Sequence, residues 1–139
     1  MALTLDVAQK IVADALAYAR AKTLKPMGIV VLDERGALRA AATEDAASLA
    51  RWKIAFGKAN GALHVGVSSR KLHDMALERP HFVASLATVV ESGLVPVPGG
   101  VLIRDAAGAV IGAAGASGDT SDNDEAALLA AIAAAGLGS

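Results

Sequence analysis

Apolar positions recur along this chain with two periods, and the switches between them mark its elements. After Thr4, the residues Val7, Ile11, Ala15, Tyr18 and Ala19 share one face at helical spacing, which predicts an amphipathic first helix. Thr4 suits its N-cap, Asp6 complements the dipole in the first turn, and Lys22, Lys25 and Pro26 close it. Residues 28–32 are then apolar without alternation, the pattern of a strand covered on both faces. Asp33-Glu34-Arg35-Gly36 reads as a tight turn, and residues 37–42 return as the second strand of a hairpin.

A second helix is predicted over about residues 47–64, with Leu49, Trp52, Phe56, Ala59 and Leu63 as its core stripe. Another face carries Lys53, Gly57, Asn60, Gly61 and His64. Glycine costs a helix about 1 kcal/mol against alanine. Two glycines four residues apart therefore predict that something approaches the backbone: the sheet, a partner helix or a ligand. A third helix over 70–78, capped by Ser68 or Ser69, ends at Pro80 and gives way to a short apolar turn over 81–86. Residues 93–98 hold prolines at alternate positions and are predicted as an edge strand.

Residues 101–104 and 109–114 form a second hairpin around Asp105-Ala106-Ala107-Gly108, and 122–135 is the last helix. The two hairpins repeat at an offset of 72 residues. Gly28, Asp33, Gly36, Ala37, Ala41 and Ala42 answer to Gly100, Asp105, Gly108, Ala109, Ala113 and Ala114. Hairpin, loop and helix, twice over, predict an α+β fold: one antiparallel sheet of about five strands with helices on both faces, in a single domain spanning 1–139.

Composition narrows the class. Hydrophobic residues make up 54% but aromatics only 3%, so alanine supplies much of the core and each contact has little area. Such a chain gains from associating with copies of itself, and a homo-oligomer, dimer or higher, is expected. The net charge is −1 and the cations are scattered, which argues against nucleic acid as a partner. No cysteine is present, which excludes disulfides, thiolate metal sites and cysteine nucleophiles. No apolar run reaches the 18 residues of a membrane span, and nothing resembles a signal peptide. A cytoplasmic location is the expectation.

Candidate chemistry concentrates between Val95 and Glu125. The loop after the second hairpin offers glycines and hydroxyls before a helix, as an anion cradle would. However, Asp119, Asp122, Asp124 and Glu125 place four carboxylates in seven residues, and no Walker lysine is present. The acidic run also lacks the EF-hand spacing. Of the histidines His64, His73 and His81, no two show the i, i+4 spacing of a helical zinc pair, so no metal site is expected. His64, on the glycine-lined helix face, is the preferred general base or ligand, with Glu125 the carboxylate alternative. Ser117 and Gly118 form a loop hydroxyl and amide able to hold a ligand oxygen. Tyr18 is a candidate pocket-lining group, or a core aromatic with its hydroxyl at the edge.

The runs MGIVVLDERGALRAAA, IAFGKANGAL and VPVPGGVLIRDAAGAVIGAAGASGDTSDNDEAAL together resemble the GlcG/HbpS family of haem-degrading proteins over nearly the whole chain. The resemblance implies a profilin-like α/β/α layering with a five-stranded antiparallel sheet, oligomers, and haem as a cofactor or ligand. It assigns ligand contacts to Lys58, Gly99, Gly100, Ser117, Gly118 and Asp124. One relative uses a first-helix histidine for haem, and this first helix has none. Three functions remain open. The first is a small-molecule-binding protein that binds or degrades haem. The second is an enzyme of small hydroxy-acid, diol or aromatic catabolism, with His64 or Glu125 as base and Lys58 holding a substrate carboxylate. The third is a non-catalytic oligomeric accessory protein.

Overall fold

Thr4 caps the first helix as its hydroxyl suggests: its Oγ1 accepts the Val7 N–H at 3.2 Å, and helix α1 runs Leu5–Ala21. The computed structural model describes residues 2–139. The chain continues as β1 (Gly28–Asp33), β2 (Leu38–Thr43), α2 (Arg51–Val65), α3 (Ser69–Glu78), α4 (Pro80–Val89), β3 (Gly100–Arg104), β4 (Val110–Ser117) and α5 (Ser121–Ala134). The strand order is β2-β1-β4-β3, antiparallel throughout. The helices α1 and α5 cover one face around Ile11, Ile29, Val31, Leu128 and Ile132, while α2 covers the other around Val30, Leu32, Ala59 and Leu102.

The repeat survives in atomic detail. In one hairpin Asp33 Oδ1 accepts the N–H groups of Arg35 and Ala37; in the other, Asp105 Oδ1 accepts those of Ala107 and Ala109. Gly36 and Gly108 then turn the chain at φ 86° and 85°, a region closed to most side chains. Asp33 is buried, which raises its pKa, but the two N–H groups and the Arg35 guanidinium prevail and hold it below 3.8.

Four expectations are corrected. The sheet has four strands, not five, because residues 93–98 do not join it. They form a strap across the outer side of α2. Val95 N–H donates to Gly57 O at 3.1 Å, and Asn60 Nδ2 donates to Glu91 O and Gly93 O, both at 2.8 Å. The expected second-helix stripe is also displaced: Leu49 precedes the helix and is 79% exposed, and Trp52 is 43% exposed. The buried residues of α2 are instead Ala55, Gly57, Lys58, Ala59, Asn60, Gly61 and Ala62. Residues 81–86 belong to a full helix, α4, rather than a turn. The last helix, expected over 122–135, begins at Ser121 and is capped by Thr120, whose Oγ1 accepts the Asn123 N–H.

Helix α2 thus lies between two backbones. On the sheet side, a Cβ on Gly115 would stand 1.9 Å from Ala55 O, and one on Gly100 would stand 2.3 Å from Lys58 O. On the strap side, a Cβ on Gly57 would meet Val95 Cγ2 and one on Gly61 would meet Leu94 Cβ, each at 2.6 Å. The paired glycines do mark a close approach, and the strap is what approaches.

Candidate functional site

Lys58 is the largest side chain among the fully buried ones, at 2% exposure. It leaves α2 on one face of the sheet, passes the end of β4 and reaches the start of α5 on the other face. Its Nζ donates to Ala116 O at 2.9 Å and to Asp124 Oδ2 at 3.2 Å, while Asp124 Oδ1 accepts the Asp119 N–H at 2.9 Å. Burial pulls the Lys58 ammonium below its ordinary 10.5; Asp124 opposes this, and the nearby Arg51 adds to the lowering.

The Pro-Gly-Gly turn is seated directly on this lysine. Gly99 adopts φ 119°, and a Cβ there would stand 2.8 Å from both Lys58 Nζ and Ala116 O. Ser117 is buried and its Oγ accepts from Arg51 Nη1 at 3.3 Å. Gly118 lies against the α1–β1 connection, where a Cβ would come within 2.3 Å of Pro26 O. The fold therefore brings Lys58, Gly99, Gly100, Ser117, Gly118 and Asp124 together in a filled cluster at one end of the sheet.

The acidic residues of the α5 start each have partners. Asp119 accepts from Asn123 Nδ2 and from the N–H groups of Lys25 and Thr120, which draw its carboxyl from 3.8 down to about 2. Arg70, from α3, bridges Asp122 at 2.5 Å and Glu125 at 3.0 and 3.2 Å. Its pKa is raised in consequence.

Glu125 also borders a cleft of about 510 Å3 between α3, β3 and α5. Its walls are Val67, Val101, Leu102 and Leu129, and its polar groups include Ser68, Lys71, Arg104 and Glu125. Arg104 Nη1 donates to Gly108 O at 3.1 Å, whereas no ion pair engages Lys71 among the described residues. His64 lies elsewhere, exposed beside a hollow of about 130 Å3 with Glu34, Arg35 and Leu63. Tyr18 is half-buried on α1 with the Lys22 ammonium 5.7 Å from its ring centre. Of the residues singled out from sequence, Glu125 alone lines the large cleft.

A family model described as haem degrading protein HbpS-like matches residues 3–133. The chain belongs to the HbpS-like family. Its fold is shared with a crystal structure of PduOC in complex with haem, at TM-score 0.88 and 23% identity over 99% of this chain and 98% of that one. It is shared with Klebsiella pneumoniae protein ORFY, at TM-score 0.85 and 21% identity over 96% and 90%. HbpS itself superposes at TM-score 0.82 with 22% identity over 96% and 90%. No curated protein matches the chain by sequence. At these identities the likeness to solved structures establishes a common fold.

No local spacing marks the other residues that line the cleft. Ser68 is marked only as a helix cap, Arg104 only as a hairpin residue and Leu129 only as part of the last helix's apolar face, and Lys71 is not marked at all. They come from three elements whose juxtaposition is set by the sheet order, and no local spacing encodes that.

Proposed function

We propose that this HbpS-like chain is a small-molecule-binding protein and that its ligand, an amphipathic carboxylate, lies in the cleft between α3, β3 and α5. The observation that carries this reading is the lining: apolar walls from Val67, Val101 and Leu129 with the Lys71 and Arg104 cations beside them. Apolar surface supplies affinity and the cations fix the orientation of a carboxylate.

Haem is the ligand that the family description and the PduOC complex suggest. The cleft fits its carboxylates and apolar faces. It offers none of the usual axial ligands of haem iron, since no histidine, methionine or tyrosine lines it and the chain has no cysteine. Haemin and iron-free protoporphyrin should therefore titrate alike, each saturating at one site per chain. Leu129→Trp should weaken both; unchanged binding in that variant would exclude the cleft. An enzymatic reading has one favourable observation: the Glu125 carboxylate borders the cleft, where it accepts from Arg70 Nε. His64 is too far from that cleft to line it with Glu125. Self-association belongs to the same proposal and is supported by the exposed Leu49 and Trp52 around the start of α2.

A further inference from the structure

Strand β3 is an edge of the sheet, and its outward backbone groups are closed at both ends. Ser69 Oγ accepts the Gly100 N–H at 2.7 Å and donates to Gly100 O at 3.2 Å. Four residues on, Arg104 exchanges both of its backbone hydrogen bonds with Gly138, at 2.8 and 2.9 Å. In an antiparallel strand a residue's N–H and C=O point to the same side, and successive residues alternate. The irregularity near Ile103 does not break that alternation, because the extra residue, Ile111, lies on β4.

Leu102 stands midway between two outward-facing residues, so its N–H and C=O also face outward, into the cleft it lines. Its side chain is committed to the opposite core, with Val30 and Ala59. Among the described residues no hydrogen bond reaches its backbone from the cleft side. The open stretch is one residue wide, bounded about 7 Å to either side by closed positions. That is too short to accept an added strand. It matches one small group with a donor and an acceptor spaced like the N–H and C=O of a single amino-acid residue.

We infer that the cleft binds a carboxylate bearing a neutral hydrogen-bond donor on the adjacent carbon, the arrangement found in 2-hydroxy acids and N-acylated amino acids. The donor meets Leu102 C=O and one carboxylate oxygen meets Leu102 N–H. The second oxygen faces Lys71 and Arg104, and an apolar substituent lies on Val67, Val101 and Leu129. A free 2-amino acid is disfavoured because its ammonium would add a third positive charge to a cleft that already holds Lys71 and Arg104, and the Glu125 carboxylate that could balance it is engaged by Arg70. This inference rests on the cleft being the ligand site and adds the chemical class that it selects.

The test uses the full chain and three probes: 2-hydroxy-4-methylpentanoate, N-acetylleucine, and 4-methylpentanoate, which lacks the donor. Calorimetric titration should show either of the first two binding about tenfold more tightly than the third. Whichever of the two is preferred distinguishes a hydroxyl from an amide source. Their binding should move the Leu102 amide resonance in a nitrogen-15 correlation spectrum. Leu102→Pro removes the outward N–H, which an edge strand tolerates, and should abolish the preference. Leu102→Ala, which keeps the N–H, should retain it. Equal binding of all three acids, or a Leu102 amide that does not move, overturns this inference while leaving the cleft in place. Binding that is indifferent to Leu129→Trp overturns the cleft reading itself.

Discussion

Lys58 and Asp124 form a charge pair at 3.2 Å in which each side chain is 2% exposed, and such a pair is most costly when half of it is lost. Lys58→Met should leave the Asp124 carboxylate buried without its cation and lower stability by about 3–5 kcal/mol. Removing both charges together should cost less than removing one. Denaturant unfolding of the two single variants and the double variant checks this. Asp119 acts at the surface and through protons. Its pKa is depressed to about 2, so its contribution is complete above about 3.8 and is lost as pH falls toward 2. Stability measured down that window should decline in the native chain. Asp119→Asn should flatten this part of the decline, and Asn123→Ala should shrink it, since Asn123 is the largest source of the depression.

At the scale of elements, α2 departs furthest from its sequence pattern. Gly61→Ala improves helix propensity by about 1 kcal/mol, yet it drives a methyl to 2.6 Å from Leu94 Cβ, close to the strap's main chain. A net loss of about 1–3 kcal/mol is expected. Gly57→Ala should cost less, because the atom it meets is the end of the Val95 side chain, which can rotate. Thermal melts of the two variants rank the contacts. Periodicity found most elements because strands and amphipathic helices announce themselves locally: both hairpins, with their Asp33 and Asp105 turns, were legible residue by residue. It misplaced the face of α2 because that helix is buried on two sides by backbone. Small residues, not large apolar ones, mark such burial.

Across the whole molecule, the candidate site divides in the same way. The cluster around Lys58 was legible because Gly99, Gly100, Ser117 and Asp124 fall in one contiguous, unusual segment. The cleft was not, because Ser68, Lys71, Leu102, Arg104 and Leu129 converge only when α3 and α5 are placed beside the outer edge of β3. The sheet's missing fifth strand is part of the same arrangement. Residues that would have extended the sheet instead cross α2, and β3 is left as an edge strand beside the cleft.

That strap also has a consequence for the order of folding. It docks only on a groove that α2 and its two glycines must already have formed, and it connects α4 to β3 across a surface rather than nucleating one. Its contacts with Gly57, Asn60 and Gly61 should therefore be absent from the folding transition state. Val95→Ala is expected to leave the refolding rate nearly unchanged and to speed unfolding by the whole of its destabilisation. Stopped-flow measurements would show only the unfolding limb displaced; slower refolding would mean that the strap closes early.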